Sequence, residues 1–233
     1  MYPPVPDNYM GVWQRTLLQS GSALDTTSLV LWMQTQHYHI DIRIPTAVFN
    51  MRKVNQLSDY TTDELHLLAQ QQGFAGLTQV PDDICQWHRE IDYQPKNDQR
   101  DIGKMAFKTP NLLIETGVDA DYLEHWQRLN ETNEYFSSNK ITGKNRHGVE
   151  VPAYLMRSGN HVAYARQRSV SLPKANSIIQ AVNLYEPSIE MLCDWLDMEI
   201  SFGMLVNEYS WIIEYSTLPY KQGLTYETHN AQL

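Results

Sequence analysis

The chain has 233 residues, of which 42% are hydrophobic and 19% are charged. This composition is typical of a folded globular protein, and the sequence has no run of about 18 apolar residues that would predict a membrane span. Its 27 acidic residues outnumber its 18 basic ones, and the net charge of −9 argues against a broad surface for DNA or RNA. Because the first ten residues show no secretory signal, we expect a cytoplasmic location.

Short segments rich in β-branched and aromatic residues dominate the first half of the chain, and each is bounded by Gly, Pro, Asp or Asn. These predicted strands cover residues 11–19, 27–35, 37–45, 85–94, 104–109 and 111–116. One helix is predicted among them, over residues 61–73. It begins with the capping-box pattern of Thr61 and Glu64 and ends at Gly73.

The second half shows a similar pattern. Its predicted strands cover residues 122–129, 149–157, 161–169, 199–206 and 209–217, while residues 188–198 suit either a helix or a buried strand. The chain lacks alternating helices and strands, so we predict a mainly β fold with a curled or closed antiparallel sheet. Trp-Gln-Arg occurs at residues 13–15 and again at 126–128, which weakly favours two similar halves that meet near residue 117.

The segment HYHIDIRIP, residues 37–45, has two different faces if it is a strand. One face carries ionisable side chains and the other carries apolar ones; the first consists of His37, His39, Asp41 and Arg43, and the second of Tyr38, Ile40, Ile42 and Ile44. If the ionisable face points into a barrel, its residues line a pocket that favours an anionic or hydrogen-bonding group. If it points outward, the isoleucines form a plain core.

A metal site at this segment would use His37 and His39, since residues two apart on a strand point the same way. The third ligand would come from another strand, and the candidates are His88, His125 and His161. Because this spacing of two histidines is common, we predict no metal and no other cofactor. The two cysteines, Cys85 and Cys193, are far apart, which excludes CxxC sites and predicts free core thiols.

The predicted strand at residues 85–94 carries an arginine on its apolar face. Arg89 shares that face with Cys85, Trp87, Ile91 and Tyr93. A guanidinium among aromatic rings either stacks at the edge of a barrel or lies inside a cavity, where it can receive an anion. The sequence leaves both positions open.

Known catalytic motifs are absent: the sequence has no GxSxG, HExxH, phosphate loop or GxGxxG. Carboxylates for acid–base chemistry are numerous, but nothing in the pattern selects a pair; they include Asp41, Asp92, Asp101, Glu115 and Glu124. We therefore predict no catalytic residues. An enzyme that combines His88 or His39 with Asp92 or Glu124 is the alternative.

Gly11-x-Trp13 in the first strand, followed by aromatic strands, resembles the start of calycin-type barrels such as lipocalins. In those proteins the tryptophan closes one end of the barrel, and an arginine commonly stacks on it. The resemblance implies a structural role for Trp13, with the guanidinium of Arg15, which shares its side of the strand, over or beside the indole.

A more specific resemblance is to the HRI1-like family, on the segments GVWQRTLLQ, LWMQT, HIDIRIP and GFAG. It covers roughly residues 10–76. The resemblance implies two calycin-like β-barrel domains with one or two short helices, which we expect at residues 1–116 and 117–233. It implies no established enzymatic activity and supplies no catalytic residues.

We therefore expect a non-enzymatic ligand-binding or interaction protein whose barrel cavity holds a small, partly apolar molecule with an anionic or polar group. The expected ligand-binding residues are Arg43, His39, Asp41, His37 and Arg89. No nucleic-acid or membrane partner is expected. A barrel enzyme and a structural module for protein partners are the alternatives, and an apolar surface patch would favour the latter.

Overall fold

The computed structural model of the protein describes residues 2–129 and 135–227. The described residues form two antiparallel sheets and three short α-helices. The mainly β fold predicted from the sequence is therefore confirmed. Within these described ranges, no helix has the length and apolar character needed to cross a membrane.

The first sheet has nine strands. They are β1 (Gly11–Ser20), β2 (Ala23–Asp25), β3 (Leu29–Gln34), β4 (Tyr38–Ile44), β5 (Gln72–Gln79), β6 (Ile84–Asp92), β7 (Asp101–Thr109), β8 (Leu112–Gly117) and β9 (Leu123–Arg128). Their order is β2-β1-β3-β4-β5-β6-β7-β8-β9, and β1 also pairs with β9. This last pairing closes eight of the strands into a barrel, and the short β2 extends the sheet from β1.

The second sheet has six strands in chain order. They are β10 (Phe136–Lys144), β11 (Glu150–Ser158), β12 (His161–Arg166), β13 (Glu199–Asn207), β14 (Ser210–Ser216) and β15 (Thr225–Glu227). Its outer strands, β10 and β15, do not pair with each other within the described residues. The second sheet is therefore a curled half-barrel, whereas the family resemblance implied a second β-barrel domain.

Three helices connect the strands: α1 (Thr62–Leu68), α2 (Ile178–Tyr185) and α3 (Ile189–Leu196). The predicted capping box starts α1, since Thr61 accepts a hydrogen bond from the Glu64 amide and the Glu64 carboxylate accepts one from the Thr61 amide. The helix ends earlier than predicted because β5 begins at Gln72. The ambiguous segment at residues 188–198 forms α3, and α2 was not predicted.

The two Trp-Gln-Arg segments are neighbours in one barrel. In the antiparallel pair β1 and β9, Trp13 lies opposite Arg128 and Arg15 lies opposite Trp126. The repeat therefore reflects the closure of the first barrel and gives no support for duplicated halves. Because β9 belongs to the first sheet, the sheets divide between Arg128 and Phe136, beyond the expected boundary at 116.

The two sheets share a hydrophobic core. The isoleucines of β4 lie on the outside of the barrel, where they join one cluster with residues of the second sheet and the helices; the cluster includes Ile40, Ile42, Ile44, Met156, Ile200, Phe202 and Leu196. A separate cluster fills the barrel and includes Trp13, Trp32, Trp87 and Trp126. Both expected free thiols, Cys85 and Cys193, are buried.

Candidate functional site

The ionisable row of HYHIDIRIP lies on the barrel side of β4. His39 and Asp41 are at most 2% exposed, and Asp41 and Arg43 line a small cavity within the barrel. The isoleucines on the opposite face are buried against the second sheet. Both faces of β4 are therefore packed inside the protein, one in the barrel and the other against the second sheet. His37 precedes the strand, and its buried Nδ1 has no hydrogen-bond partner among the described residues.

Arg43 is already paired with carboxylates of the barrel. Its Nε donates to Asp41 Oδ1 at 2.8 Å, and its Nη1 lies 3.9 Å from Glu124 Oε1. Burial raises the pKa of Asp41, although the neighbouring Arg43 opposes that change. The guanidinium expected to receive a ligand anion is therefore neutralised by the protein itself.

Arg15 has the same kind of environment. Its guanidinium donates to Glu124 Oε1 and to Asp25 Oδ2, both at 2.8 Å. The guanidinium over Trp13 is that of Arg128, with its central carbon 4.5 Å from the ring centroid. The stacking partner of the tryptophan is therefore Arg128 and not the expected Arg15, whose guanidinium pairs with two carboxylates.

Arg89 stacks on an aromatic ring, which is one of the two positions that the sequence left open. Its central carbon lies 3.7 Å from the centroid of the Phe74 ring. Its nitrogens also donate to Asp92 Oδ2 at 3.0 Å and to Asp101 Oδ2 at 2.7 Å. Arg89 is thus stacked on a ring and paired with two aspartates, which leaves no free guanidinium for a ligand anion.

His39 belongs to a chain of neutral hydrogen bonds. Its Nδ1 lies 3.0 Å from Thr78 Oγ1, and Thr78 donates to Gln34 Oε1 at 2.8 Å. Burial lowers the pKa of His39 well below its usual value, so the ring is neutral at pH 7. This arrangement fixes the side chains of three neighbouring strands.

The structure does not bring together the acid–base pairs considered from the sequence. His39 contacts Thr78, and the His88 ring stacks on Tyr2 with centroids 4.8 Å apart. In the described ranges, neither histidine hydrogen-bonds to Asp92 or Glu124, whose carboxylates pair with arginines. The geometry therefore gives no support to the barrel-enzyme hypothesis.

Glu115 is a buried carboxylate that accepts hydrogen bonds from neutral side chains. It accepts hydrogen bonds from Tyr122 Oη at 2.6 Å and Trp126 Nε1 at 3.0 Å. Burial, followed by repulsion from Glu124 directly across the strand pair, raises the pKa of Glu115 to about 8. Gly103 makes room for this side chain, because a Cβ at residue 103 would lie 2.7 Å from Glu115 Oε1.

The cavity inside the barrel is very small. Its volume is about 10 Å³, which is room for about one water molecule. Aromatic and charged side chains form its walls; they are Trp32, Asp41, Arg43, Phe74, Trp87, Asp101, Glu115 and Trp126. Among the described residues, the cavity that Asp41 and Arg43 line is therefore much smaller than a ligand site.

In the described part of the chain, one group of side chains has the spacing of metal ligands, and it lies in the β10–β11 loop and on α3. Candidate ligand atoms of His147, Glu190 and Asp194 all lie within 4.8 Å of one another. Arg146 already donates to Asp194 Oδ1 at 2.9 Å and to the Glu190 carboxylate. Its guanidinium supplies the positive charge that a cation would bring. His37 and His39 belong to no such group in the described part of the chain.

A much larger space lies between the two sheets. This inter-sheet cleft has a volume of about 1000 Å³. One wall comes from the end of β6 and the loop that follows it, and the other from the segment between β12 and α2. The cleft is lined by residues of 90–98, residues of 167–180, Leu184 and Met198. A ligand-sized space therefore exists outside the barrel.

Arg168 connects the two walls of the cleft through hydrogen bonds. It is 7% exposed, and its guanidinium donates to three backbone carbonyls. The acceptors are the oxygens of Trp195 at 2.8 Å, Asp92 at 3.1 Å and Tyr93 at 2.5 Å. The Gln94 side chain adds a second link, since its Oε1 accepts from the Ile178 amide at 2.8 Å at the start of α2.

Sequence reasoning did not identify the cleft residues. They belong mainly to two loops that looked like simple connections between strands. The sequence feature that the two loops share is a Pro-Lys pair, which is Pro95-Lys96 in one loop and Pro173-Lys174 in the other. Nothing in the local pattern shows that loops about 80 residues apart face each other, since only tertiary packing brings them together.

No protein-family model matches the chain, and no curated protein matches its sequence. Its structure is similar to the crystal structure of the uncharacterised protein YLR301w from Saccharomyces cerevisiae, with a TM-score of 0.53. The similarity covers 88% of this chain and 84% of the yeast chain, at 14% sequence identity. It shows a shared fold and leaves the activity open.

Proposed function

We propose that the protein is a non-enzymatic binding protein that holds a small, partly apolar molecule in the inter-sheet cleft. The observation that carries this proposal is the difference in volume between the two sites. The cleft measures about 1000 Å³ and the barrel cavity about 10 Å³. Pockets for small molecules usually measure about 300–1,000 Å³, so the cleft suits such a ligand.

The lining of the cleft supports a ligand with both apolar and polar parts. Ile91, Val170 and Leu172 contribute apolar surface, while Asn176 and Gln180 offer amide groups. Binding sites commonly combine such apolar walls with a few polar groups that fix orientation. The ligand would thus have the apolar and polar parts expected from the sequence, but its site would lie outside the barrel.

We also propose that the chain belongs to the HRI1-like family that its first strands resemble. The similarity to an uncharacterised yeast protein over 88% of this chain supports a shared fold. Arg128 supports the calycin resemblance, since it stacks on Trp13 and donates to the Met10 carbonyl at 3.0 Å.

A fluorescence titration with 8-anilinonaphthalene-1-sulfonate (ANS), a small apolar dye with one anionic group, tests the binding site. Ser171→Trp introduces an indole at an exposed residue of the cleft wall. We expect this variant to weaken ANS binding by about tenfold, since the indole occupies ligand volume. Ser22→Trp, the same change in the exposed β1–β2 turn, is the matched control. Equal affinities for all three proteins would overturn the proposal.

A protein segment is the second candidate for the ligand, because exposed apolar side chains adjoin the cleft. They surround the turn between α2 and α3 and consist of Leu184, Tyr185, Ile189 and Met191. Leu184 also lines the cleft. Selection of displayed peptides on the parent protein, followed by binding to Ser171→Trp, tests this candidate. Selected peptides that bind both proteins equally would contradict it.

A further inference from the structure

The inter-sheet cleft is lined by three cationic side chains and by three carboxylates. Arg168, Lys96 and Lys174 line it, and in the part of the chain that the structure describes none of them forms an ion pair with a carboxylate. The whole chain has a net charge of −9, so such a group of cations is unusual on its surface. The positive charges of these side chains would attract an anionic ligand to the cleft.

Most carboxylates of the cleft are held by other residues. Asp92 accepts from Arg89 at 3.0 Å. Glu90 accepts from Lys140 at 2.8 Å and from the Tyr154 hydroxyl. Of the carboxylates that line the cleft, Asp98 remains without an ion pair among the described residues. Among the described residues that line the cleft, three cations and one carboxylate therefore have no ion pair.

Arg168 is the central cation of this group. Its guanidinium is buried and donates to neutral carbonyl oxygens, while the Asp92 and Asp197 carboxylates act on its charge without forming an ion pair with it. Burial lowers the pKa of Arg168 to about 10, which keeps the group protonated at neutral pH. A buried positive charge without an ion pair at the cleft wall attracts anions, because the low local dielectric strengthens the interaction.

We propose that the ligand of the cleft is an organic anion whose charged group binds near Arg168, Lys96 and Lys174 while its apolar part lies on Val170 and Leu172. This inference rests on the proposed function and names the chemical class of its ligand. Carboxylates, sulfonates and phosphate esters share the chemistry required. Arg168 supplies a fixed charge, and the two exposed lysines complete the site from opposite walls.

The test compares ANS with N-phenyl-1-naphthylamine, which has the same aromatic body without the sulfonate. The variant is the double substitution Lys96→Glu and Lys174→Glu, since both lysines are exposed whereas Arg168 ties the loops together. The matched control is the double substitution Lys53→Glu and Lys108→Glu, which changes the net charge equally at exposed residues outside the cleft.

We expect the cleft variant to bind ANS about tenfold more weakly, because two attractive charges become repulsive. Its affinity for the neutral dye and the control's affinity for both dyes should stay at parent values. An equal loss for both dyes, an equal loss in the control, or an unchanged ANS affinity would overturn the anion inference. The proposed function fails separately, if Ser171→Trp weakens the binding of neither dye.

Discussion

Arg128 and Trp13 lie in contact across the pair of strands that closes the barrel. They lie opposite each other on β9 and β1, and the guanidinium carbon lies 4.5 Å from the indole centroid. The indole is fully buried, and its Nε1 donates to the Tyr9 carbonyl at 2.8 Å. This arrangement connects the N-terminal segment, the first strand and the last strand of the barrel.

Trp13→Ala should therefore lower the free energy of unfolding by about 3–5 kcal/mol, since it removes a large buried side chain. His37→Ala should cost about 1 kcal/mol or less, because His37 is partly exposed and lies outside the regular strand. Urea denaturation measures both values. A Trp13→Ala variant with the parent's midpoint, beside an unfolded His37→Ala, would contradict the structural role of the tryptophan.

Glu115 should make stability depend on pH. Its pKa rises from the ordinary value of 4.5 to about 8 in the folded protein, mainly through burial. Between these values the folded state binds more protons than the unfolded chain, so stability falls as pH rises from about 4.5 to about 8. Thermal melting between pH 5 and 8 measures this fall.

Glu115→Gln should reduce that fall, because an amide imitates the protonated acid toward Tyr122 and Trp126. The control is Glu150→Gln, at an exposed residue of β11, which should keep the parent's pH dependence. If the parent and Glu115→Gln lose the same stability over this range, Glu115 does not carry the buried proton.

The shared core predicts that the two sheets unfold together. Ile42 on β4 is fully buried in the cluster that also contains Ile200 of the second sheet. Ile42→Ala should lower the free energy of unfolding by about 2–5 kcal/mol. Calorimetry should show one transition for the parent and one for the variant. Leu24→Ala, at a residue 64% exposed, is the control. Two separate transitions for the parent would show independent domains.

Purified protein should carry no stoichiometric zinc, copper or iron. Arg146 pairs with both carboxylates of the group formed by His147, Glu190 and Asp194. Elemental analysis by mass spectrometry measures the content. About one metal per chain, lost when His37 and His39 are substituted together, would establish a metal site at HYHIDIRIP instead.

The sequence predicted the elements with strong local patterns. Two-residue alternation located β4 and β6, and the capping box of Thr61 and Glu64 located α1. The alternation of apolar and polar residues did not predict β5. Gly73 and Gly76 have no side chains to show such an alternation, and the strand's backbone approaches its neighbours closely at Gly76. A Cβ at residue 76 would lie 2.0 Å from the His88 carbonyl oxygen.

The candidate site was harder to predict than the fold. The residues of HYHIDIRIP have the chemistry of a ligand wall, but their counter-ions come from distant strands, as Glu124 does for Arg15 and Arg43. The cleft likewise depends on Arg168 reaching the Asp92 and Tyr93 carbonyls across the two sheets. Single-sequence patterns report local periodicity and do not report such long-range contacts.

The location of bound ANS tests the central claim most directly. The ¹H–¹⁵N NMR spectrum of the assigned protein reports it, because the backbone amides of both loops and the tryptophan indole groups give separate signals. We expect shifts at residues 94–98 and 167–176, which belong to the cleft walls, with the Trp32 and Trp126 indole signals inside the barrel unchanged. Shifts confined to those barrel indoles, with unmoved loop amides, would contradict the cleft as the binding site.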